Sequence, residues 1–299
     1  MKNTSKTILF FGNERLATGV STDAPTLRAL IAAGYKIEAV IANYIDPVSR
    51  QKRDLEIGQV AHSLGIPVIL PGDDIPLAEK VKKHPADIGI LVAFGKIIPQ
   101  SVIDLFPHGI INIHPSTLPL HRGSTPIESV ILDGSTETGV SIMRLEKGMD
   151  CGPVYAHYTV KLSDDETKQG LADRISSAGS KLLIDNLPNI LNGSLKPTVQ
   201  DNTKATYDSL IEKQNGTVNW EKPATQLERE IRAYLGWPGS KTEINGYGIT
   251  ITKAHVTNQP EDPLDIKCGD GNYLSVDELI APSGRKISAN DFMNGYKLV

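Results

Sequence analysis

The sequence predicts an α/β protein in which a Rossmann-like, mostly parallel sheet domain is followed by a small β-barrel domain. Three observations carry that reading. Through residue 191, short apolar strands alternate with helical patterns, as in successive β-α-β units. The apolar β-branched run 109–113 leads straight into a dense stretch of polar, proline and glycine residues, the pattern of a buried strand ending in a functional loop. Past residue 240 the pattern changes to short strands separated by turn residues. With 299 residues, 39% of them apolar and 22% charged, the chain is an ordinary globular sequence longer than the usual single domain. The expected division is 1–191 for the first domain, 192–206 for a linker and 207–299 for the second domain.

In chain order, residues 7–11 read as a first buried strand, closed by Gly12 into a loop that runs to Asp23. No G-x-G-x-x-G follows, which argues against a dinucleotide site, because the pyrophosphate needs close backbone approach at those glycines. Leu27, Leu30 and Ile31 keep helical spacing, with Asp23 as cap and Gly34 as stop, before a second strand over 36–42. Arg50, Lys52 and Arg53 precede a helix whose Ile57, Val60, Ala61 and Leu64 form one apolar stripe. Strands are expected at 67–70, 87–93 and 109–113, with helical segments near 75–83 and 99–106. Phe94, at the end of one of these strands, is either the wall of a flat ligand site or core. A helix over 125–132, strands over 138–145 and 154–162, and a long helix over 166–191 complete the first domain. In the second, Leu227, Ile231, Tyr234 and Leu235 share a helical face ended by Gly236-Trp237-Pro238-Gly239, and strands follow at 247–254, 263–268 and 273–281 before a helix from Ser288.

The function classes narrow next. Net charge is −4, and from residue 207 onward Lys and Arg number 10 against 13 Asp and Glu, so neither the whole chain nor its last third has the basic excess of a protein that holds nucleic acid by charge alone. No apolar stretch approaches the twenty or so residues that span a bilayer, and the amino-terminal apolar run is too short for a secretory signal; the expectation is a cytoplasmic protein with no membrane partner. Cys151 and Cys268 are far apart and lack metal-ligand spacing, so neither a disulfide framework nor a metal site is expected.

Because side chains alternate along a strand, Asn112 and His114 point to one face of 109–113 while Ile111 and Ile113 point to the other. The turn Gly148-Met149-Asp150-Cys151-Gly152 adds a carboxylate, so Asn112, His114 and Asp150 form a candidate set. Prolines at 115 and 119 stiffen the loop that follows His114. A Cys151 nucleophile with His114 as base is disfavoured, since the neighbour of Cys151 in sequence is acidic, a setting opposed to a thiolate.

N-I-H-P-S-T-L-P-L-H-R-G-S-T-P-I, followed by T-G-V-S-I-M-R-L-E-K-G-M-D-C-G-P, closely resembles the 10-formyltetrahydrofolate-dependent formyltransferases, and among them those that act on initiator methionyl-tRNA. The resemblance runs nearly end to end. It implies catalytic roles for Asn112, His114 and Asp150, a folate-binding signature on Ser116, Thr117, Leu118 and Pro119, and an OB-like carboxyl domain. It further implies 10-formyltetrahydrofolate as co-substrate, initiator methionyl-tRNA as partner, no metal, and a monomer. Thr117 departs from the family's usual Leu, the opening loop Gly12-Asn13-Glu14-Arg15-Leu16-Ala17 departs from G-T-P-E-F-A, and the basic loop around Arg50–Arg53 is shortened.

The chemistry suits these residue types. Attack of an amine on a formyl carbon creates an oxyanion that an Asn amide and a His N–H can stabilise, and releases a proton that a carboxylate can accept. The same site with another acceptor, such as an amino sugar nucleotide, or with water, remains open, as does a folate- or RNA-binding module without catalysis. A cis Leu118–Pro119 bond is expected to re-aim the loop.

Overall fold

The computed structural model describes residues 6–43, 55–72 and 75–297. The chain opens with β1 (Thr7–Gly12), α1 (Pro25–Ala32), β2 (Lys36–Ile41), α2 (Glu56–Ser63), the two-residue β3 (Val68–Ile69), α3 (Leu77–Lys82), β4 (Ile88–Val92), α4 (Gln100–Ile103) and β5 (Ile110–His114). After the short β6 (Arg122–Gly123) come α5 (Pro126–Leu132), β7 (Glu137–Arg144), β8 (Val154–Lys161) and the long α6 (Lys168–Leu191). Seven strands form one sheet in the order β3-β2-β1-β4-β5-β7-β8. The first five are parallel, and β7 and β8 run antiparallel at one edge. The mostly parallel sheet expected from sequence is therefore present, with an antiparallel hairpin appended.

Alternation along the strands gives the sheet two cores. Ile8, Phe10, Val40, Ile111 and Ile113 face α1 and α6, where Leu27, Leu30, Ile175 and Leu183 meet them. Leu9, Phe11, Ile41 and Ile110 face the opposite way, against Val81 of α3 and Val102 and Phe106 around α4. Phe94 belongs to this second core: it is 2% exposed and packs edge-on against Phe11 at 5.8 Å, so it walls no ligand. Gly12 ends β1 at φ +123°, and a Cβ there would lie 1.8 Å from the carbonyl oxygen of Val92, so β1 and β4 can close together only because this residue lacks a side chain.

The start of α1 differs from the sequence expectation. Asp23 does not cap it; Ala24 holds the cap position at φ 57° with no side-chain bond. The Glu14 carboxylate arrives instead from the preceding loop and accepts the N–H groups of Thr26 and Leu27, both at 2.9 Å. Burial pushes the Glu14 carboxyl pKa up against the opposing effect of those bonds. In α2, Ile57, Val60 and Ala61 are buried as expected, while Leu64 is exposed. Arg50, Lys52 and Arg53 lie outside the described residues.

Beyond α6 the chain passes through β9 (Tyr207–Asp208), which pairs with β6, to α7 (Ala224–Tyr234). Then β10 (Ser240–Ile244), β11 (Tyr247–Thr257), β12 (Asp265–Lys267), β13 (Tyr273–Ile280) and β14 (Lys286–Ser288) form a curled antiparallel half-barrel closed by α8 (Ala289–Gly295). Asn245 and Gly246, at φ 54° and 81°, make the β10–β11 hairpin turn. Leu227, Ile231, Ile249, Leu274 and Phe292 build its core. Helix α7 joins both halves: Ala233 and Tyr234 pack into the first-domain core, and burial pushes the Tyr234 phenol up to about 12. Among the described residues no helix is long and apolar enough to cross a membrane.

A buried polar knot fastens the halves. Lys168, 1% exposed, donates to the carbonyls of Thr18 and Trp237, both at 2.8 Å, and stands 3.8 Å from the buried Glu128 carboxylate. Burial lowers the Lys168 pKa and raises that of Glu128. Lys168→Met removes one partner of this pair, and the expected loss is about 3–5 kcal/mol in urea unfolding. An unchanged unfolding midpoint would show that the knot is not stabilising.

Candidate active site

The site lies where β5 ends. Asn112 and His114 continue the face of Ile110 beyond the core and are 6% and 3% exposed. Strand β7 leaves the sheet beside the start of β5, with Arg144 opposite Ile111, and the loop that follows turns back over this face. Gly152 permits the turn, because a Cβ there would lie 1.9 Å from the Arg144 carbonyl oxygen. Asp150 is thereby delivered to both polar groups. Its Oδ1 is 3.4 Å from Asn112 Nδ2, and its Oδ2 is 3.7 Å from His114 Nδ1. The structure brings Asn112, His114 and Asp150 together as a contiguous set.

The hydrogen bonds assign the imidazole. His114 Nε2 lies 2.9 Å from the His121 carbonyl oxygen, which can only accept, so Nε2 carries a proton. Nδ1 is then the ring nitrogen that faces Asp150. A separation of 3.7 Å is beyond hydrogen-bond range but short for opposite charges. The Asn112 bond, at 3.4 Å, is loose enough to leave the amide free to turn toward another acceptor. By contrast, Asp150 Oδ2 is firmly held by the Gly123 N–H at 2.9 Å.

Residues 115–120 are tied down. The Leu118–Pro119 bond is cis. Ser116 is fully buried and donates to the Leu120 carbonyl at 2.6 Å, so its hydroxyl shapes the loop from within. The Leu118 N–H donates to Ser141 Oγ at 3.1 Å, and that hydroxyl donates to the Ser116 carbonyl at 2.7 Å. Thr117 is half-buried with its methyl against Gly139, where an added Cβ would come within 2.5 Å of it. Leu118 is 7% exposed, Pro119 is half-buried, and the neighbouring Leu120 and Ile97 stand out at 41% and 92%. Among the described residues Cys151 Sγ bonds to the Lys147 carbonyl, at 3.5 Å, and to no base. Among the described residues no group of three or more His, Cys, Asp or Glu is placed to hold a metal ion. A cavity of about 700 Å³ lies elsewhere, around His108, Gly109, Arg144 and Tyr155 at the start of β5.

Several supporting residues escaped the sequence reading. The segment after α6, expected as a linker, also runs along the site: Gln200, Thr206, Tyr207 and Asp208 all bond to the 119–123 stretch. No sequence signal marks Gln200 or Asp208, whose partners lie far away along the chain. Arg122, inside the quoted R-G pair, is 1% exposed.

Comparisons with known proteins show the family. Residues 73–187 match the formyl transferase family and residues 210–297 the formyl transferase C-terminal domain. The chain is 35% identical to the methionyl-tRNA formyltransferase of Methylococcus capsulatus over 97% of both chains, and 36% identical to that of Agathobacter rectalis over 96% of both. The chain belongs to the methionyl-tRNA formyltransferase family. A likeness of fold also extends to an N-formyltransferase of Helicobacter canadensis, crystallised with folinic acid and dTDP-3-aminofucose, at TM-score 0.66 and 22% identity over 91% of this chain and 98% of that one.

In this methionyl-tRNA formyltransferase family member, the His121 carbonyl accepts from His114 Nε2 while the His121 ring is fixed by Asp208, Nδ1 to Oδ1 at 3.1 Å. That bond, and then the Asp208 charge, raise the His121 pKa against its burial. A raised imidazole pKa contributes stability that is fully present below the unfolded value and is lost as pH rises through the folded one. Asp208→Asn is therefore expected to lower the His121 titration midpoint in NMR and flatten the loss of stability on the alkaline side. An unmoved midpoint would contradict the pairing.

Proposed function

We propose that this chain transfers the formyl group of 10-formyltetrahydrofolate to the α-amino group of methionine on initiator tRNA, as a cytoplasmic monomer. The observation that carries it is the contiguity of Asn112, His114 and Asp150 at the end of β5, in a chain more than 30% identical along nearly its whole length to methionyl-tRNA formyltransferases.

The chemistry follows from the donors present. The amine attacks the formyl carbon, a C–N bond forms, and the carbonyl oxygen takes negative charge. Asn112 Nδ2 is a donor for that oxygen, and His114 Nδ1 faces the same point and donates to it when the ring carries its second proton; an oxyanion donor of this kind is typically worth about 3–4 kcal/mol of barrier. Asp150 accepts the amine's proton, and the bond to N10 breaks as that same proton is passed on to N10, leaving tetrahydrofolate and the formylated amine and returning Asp150 to its carboxylate form. Proton transfer through such a positioned group commonly adds about 10²–10⁴-fold. Asn112 and His114 are both buried, a setting in which such donors act more strongly than in water.

The residues fit the folate co-substrate. Leu118 and Pro119 are held by backbone bonds on both sides, giving a stiff apolar wall beside the polar triad, and Ile97 projects apolar surface from the neighbouring loop. Transfer to an amino sugar nucleotide is the second reading. It rests on the Helicobacter canadensis likeness, which at 22% identity supports the shared fold alone.

Two measurements test the proposal. Incubation with charged initiator tRNA and 10-formyltetrahydrofolate should yield formylmethionyl-tRNA; turnover of an amino sugar nucleotide with no product on tRNA would end the main reading. Asn112→Ala should lower kcat by about 10²–10³-fold with the fold intact. Retained turnover would remove the amide from the oxyanion site.

A further inference from the structure

Asp150 occupies a backbone conformation that needs support. Its φ is 46°, in the left-handed region, which residues with a Cβ adopt uncommonly and Asp more readily than most, so contacts around the turn help to hold it there. The Gly123 N–H holds the carboxylate at one end. At the other, the backbone itself is gripped by one side chain, Gln200. Its Nε2 donates to the carbonyl of Asp150 at 2.8 Å and to that of Gly152 at 2.6 Å, spanning the turn on both sides of Cys151.

The direction of the Gln200 amide is settled by Arg122. A guanidinium has donors only, so the oxygen of the amide must face it: Arg122 Nη2 and Nε donate to Gln200 Oε1 at 2.7 and 3.2 Å. Both N–H groups of Gln200 are then turned to the two carbonyls. Arg122 is itself fixed, donating to Asn202 Oδ1 at 2.8 Å and to the Tyr207 hydroxyl at 2.9 Å, with its guanidinium carbon 5.7 Å from the Tyr207 ring centroid. Among the described residues no carboxylate pairs with this buried cation, so its charge polarises the amide and strengthens the bonds Gln200 donates. Arg122 also directly precedes Gly123, so one residue orders both grips on Asp150.

We propose that Gln200, oriented by Arg122, is a positioning residue for formyl transfer: it locks the Asp150 turn so that the carboxylate stays against Asn112 and His114. Without it the two carbonyls lose their shared donor, and Asp150 is free to leave the left-handed conformation and carry its carboxylate away from the reaction point. A displacement of that kind affects the chemical step more than the binding of either substrate, because Gln200 is 8% exposed and both ends of its amide are already engaged, by Arg122 and by the Asp150 and Gly152 carbonyls.

The proposal rests on the catalytic reading of Asp150, and the test separates the two. Gln200→Ala should lower kcat by about tenfold to a hundredfold, with KM for 10-formyltetrahydrofolate and for charged initiator tRNA each within about threefold of the wild type. In a Asp150→Ala background, single-turnover measurement with excess enzyme should show the second substitution adding less than about twofold. Wild-type kcat in Gln200→Ala, a rise in KM with kcat unchanged, or an equal loss in both backgrounds would overturn the proposal while leaving Asp150 catalytic. Full turnover in Asp150→Ala alone would instead refute the role of Asp150. If Gln200→Ala does not fold, the isosteric Gln200→Glu carries the same kcat and KM reading, since it places an acceptor where two carbonyls require a donor; wild-type kcat there would likewise overturn it.

Discussion

The arrangement depends on keeping a carboxylate in an unfavourable backbone conformation above the end of one strand. Strand β5 supplies a fixed reference: its two-residue period sends Ile111 and Ile113 into one core and aims Asn112 and His114 together on the other side. Asp150 has to reach that pair from a different part of the chain, at φ 46°. That conformation is uncommon for a residue with a Cβ, and it is held from outside the turn by the Gly123 N–H on the side chain and Gln200 on the backbone. The geometry of this polar set is thus a property of three separate segments, 112–123, 150–152 and 200–208, held in register with one another.

That requirement explains the layout around the site. The five parallel strands place the end of β5 where α/β sheets offer a crevice, and the antiparallel β7 brings the chain back so that its following loop can fold over the same face. The stretch after His114 is bound to β7 through Ser141, and its far end pairs with β9. The connection between the two domains therefore carries site residues as well as length. The same economy appears at Lys168, whose ammonium collects carbonyls from the amino-terminal loop and from the turn after α7. Buried polar groups in this protein mostly hold segments that are distant in sequence.

What was legible in the sequence follows from the range of each interaction. Period-two alternation exposed the Asn112–His114 face, glycines on both sides of Asp150 exposed its turn, and prolines at 115 and 119 exposed the stiff loop, because each is a local signal. The Asn245-Gly246 pair was an equally local hairpin signal, and it accounts for β10, which strand patterning alone did not single out. Misreadings came where a distant group replaced the local one. Asp23 had the right chemistry to cap α1, yet Glu14 reaches the two N–H groups from the preceding loop. Phe94, which local pattern left open between ligand wall and core, is not a misreading of this kind: Phe11 on a neighbouring strand decides for the core. Gln200 and Asp208 carried no signal, since their partners are 48 to 87 residues away.

The central claim is that a formyl carbon is handled where these three polar groups meet. The most direct measurement is a crystal structure with a stable formyl-folate analogue bound. The account predicts the formyl oxygen within hydrogen-bond reach of Asn112 Nδ2 and His114 Nδ1, with the Asp150 carboxylate beside the carbon and the pterin along Leu118 and Pro119. A formyl group lodged in the cavity of about 700 Å³ by His108 and Arg144, at the opposite end of β5, would contradict it.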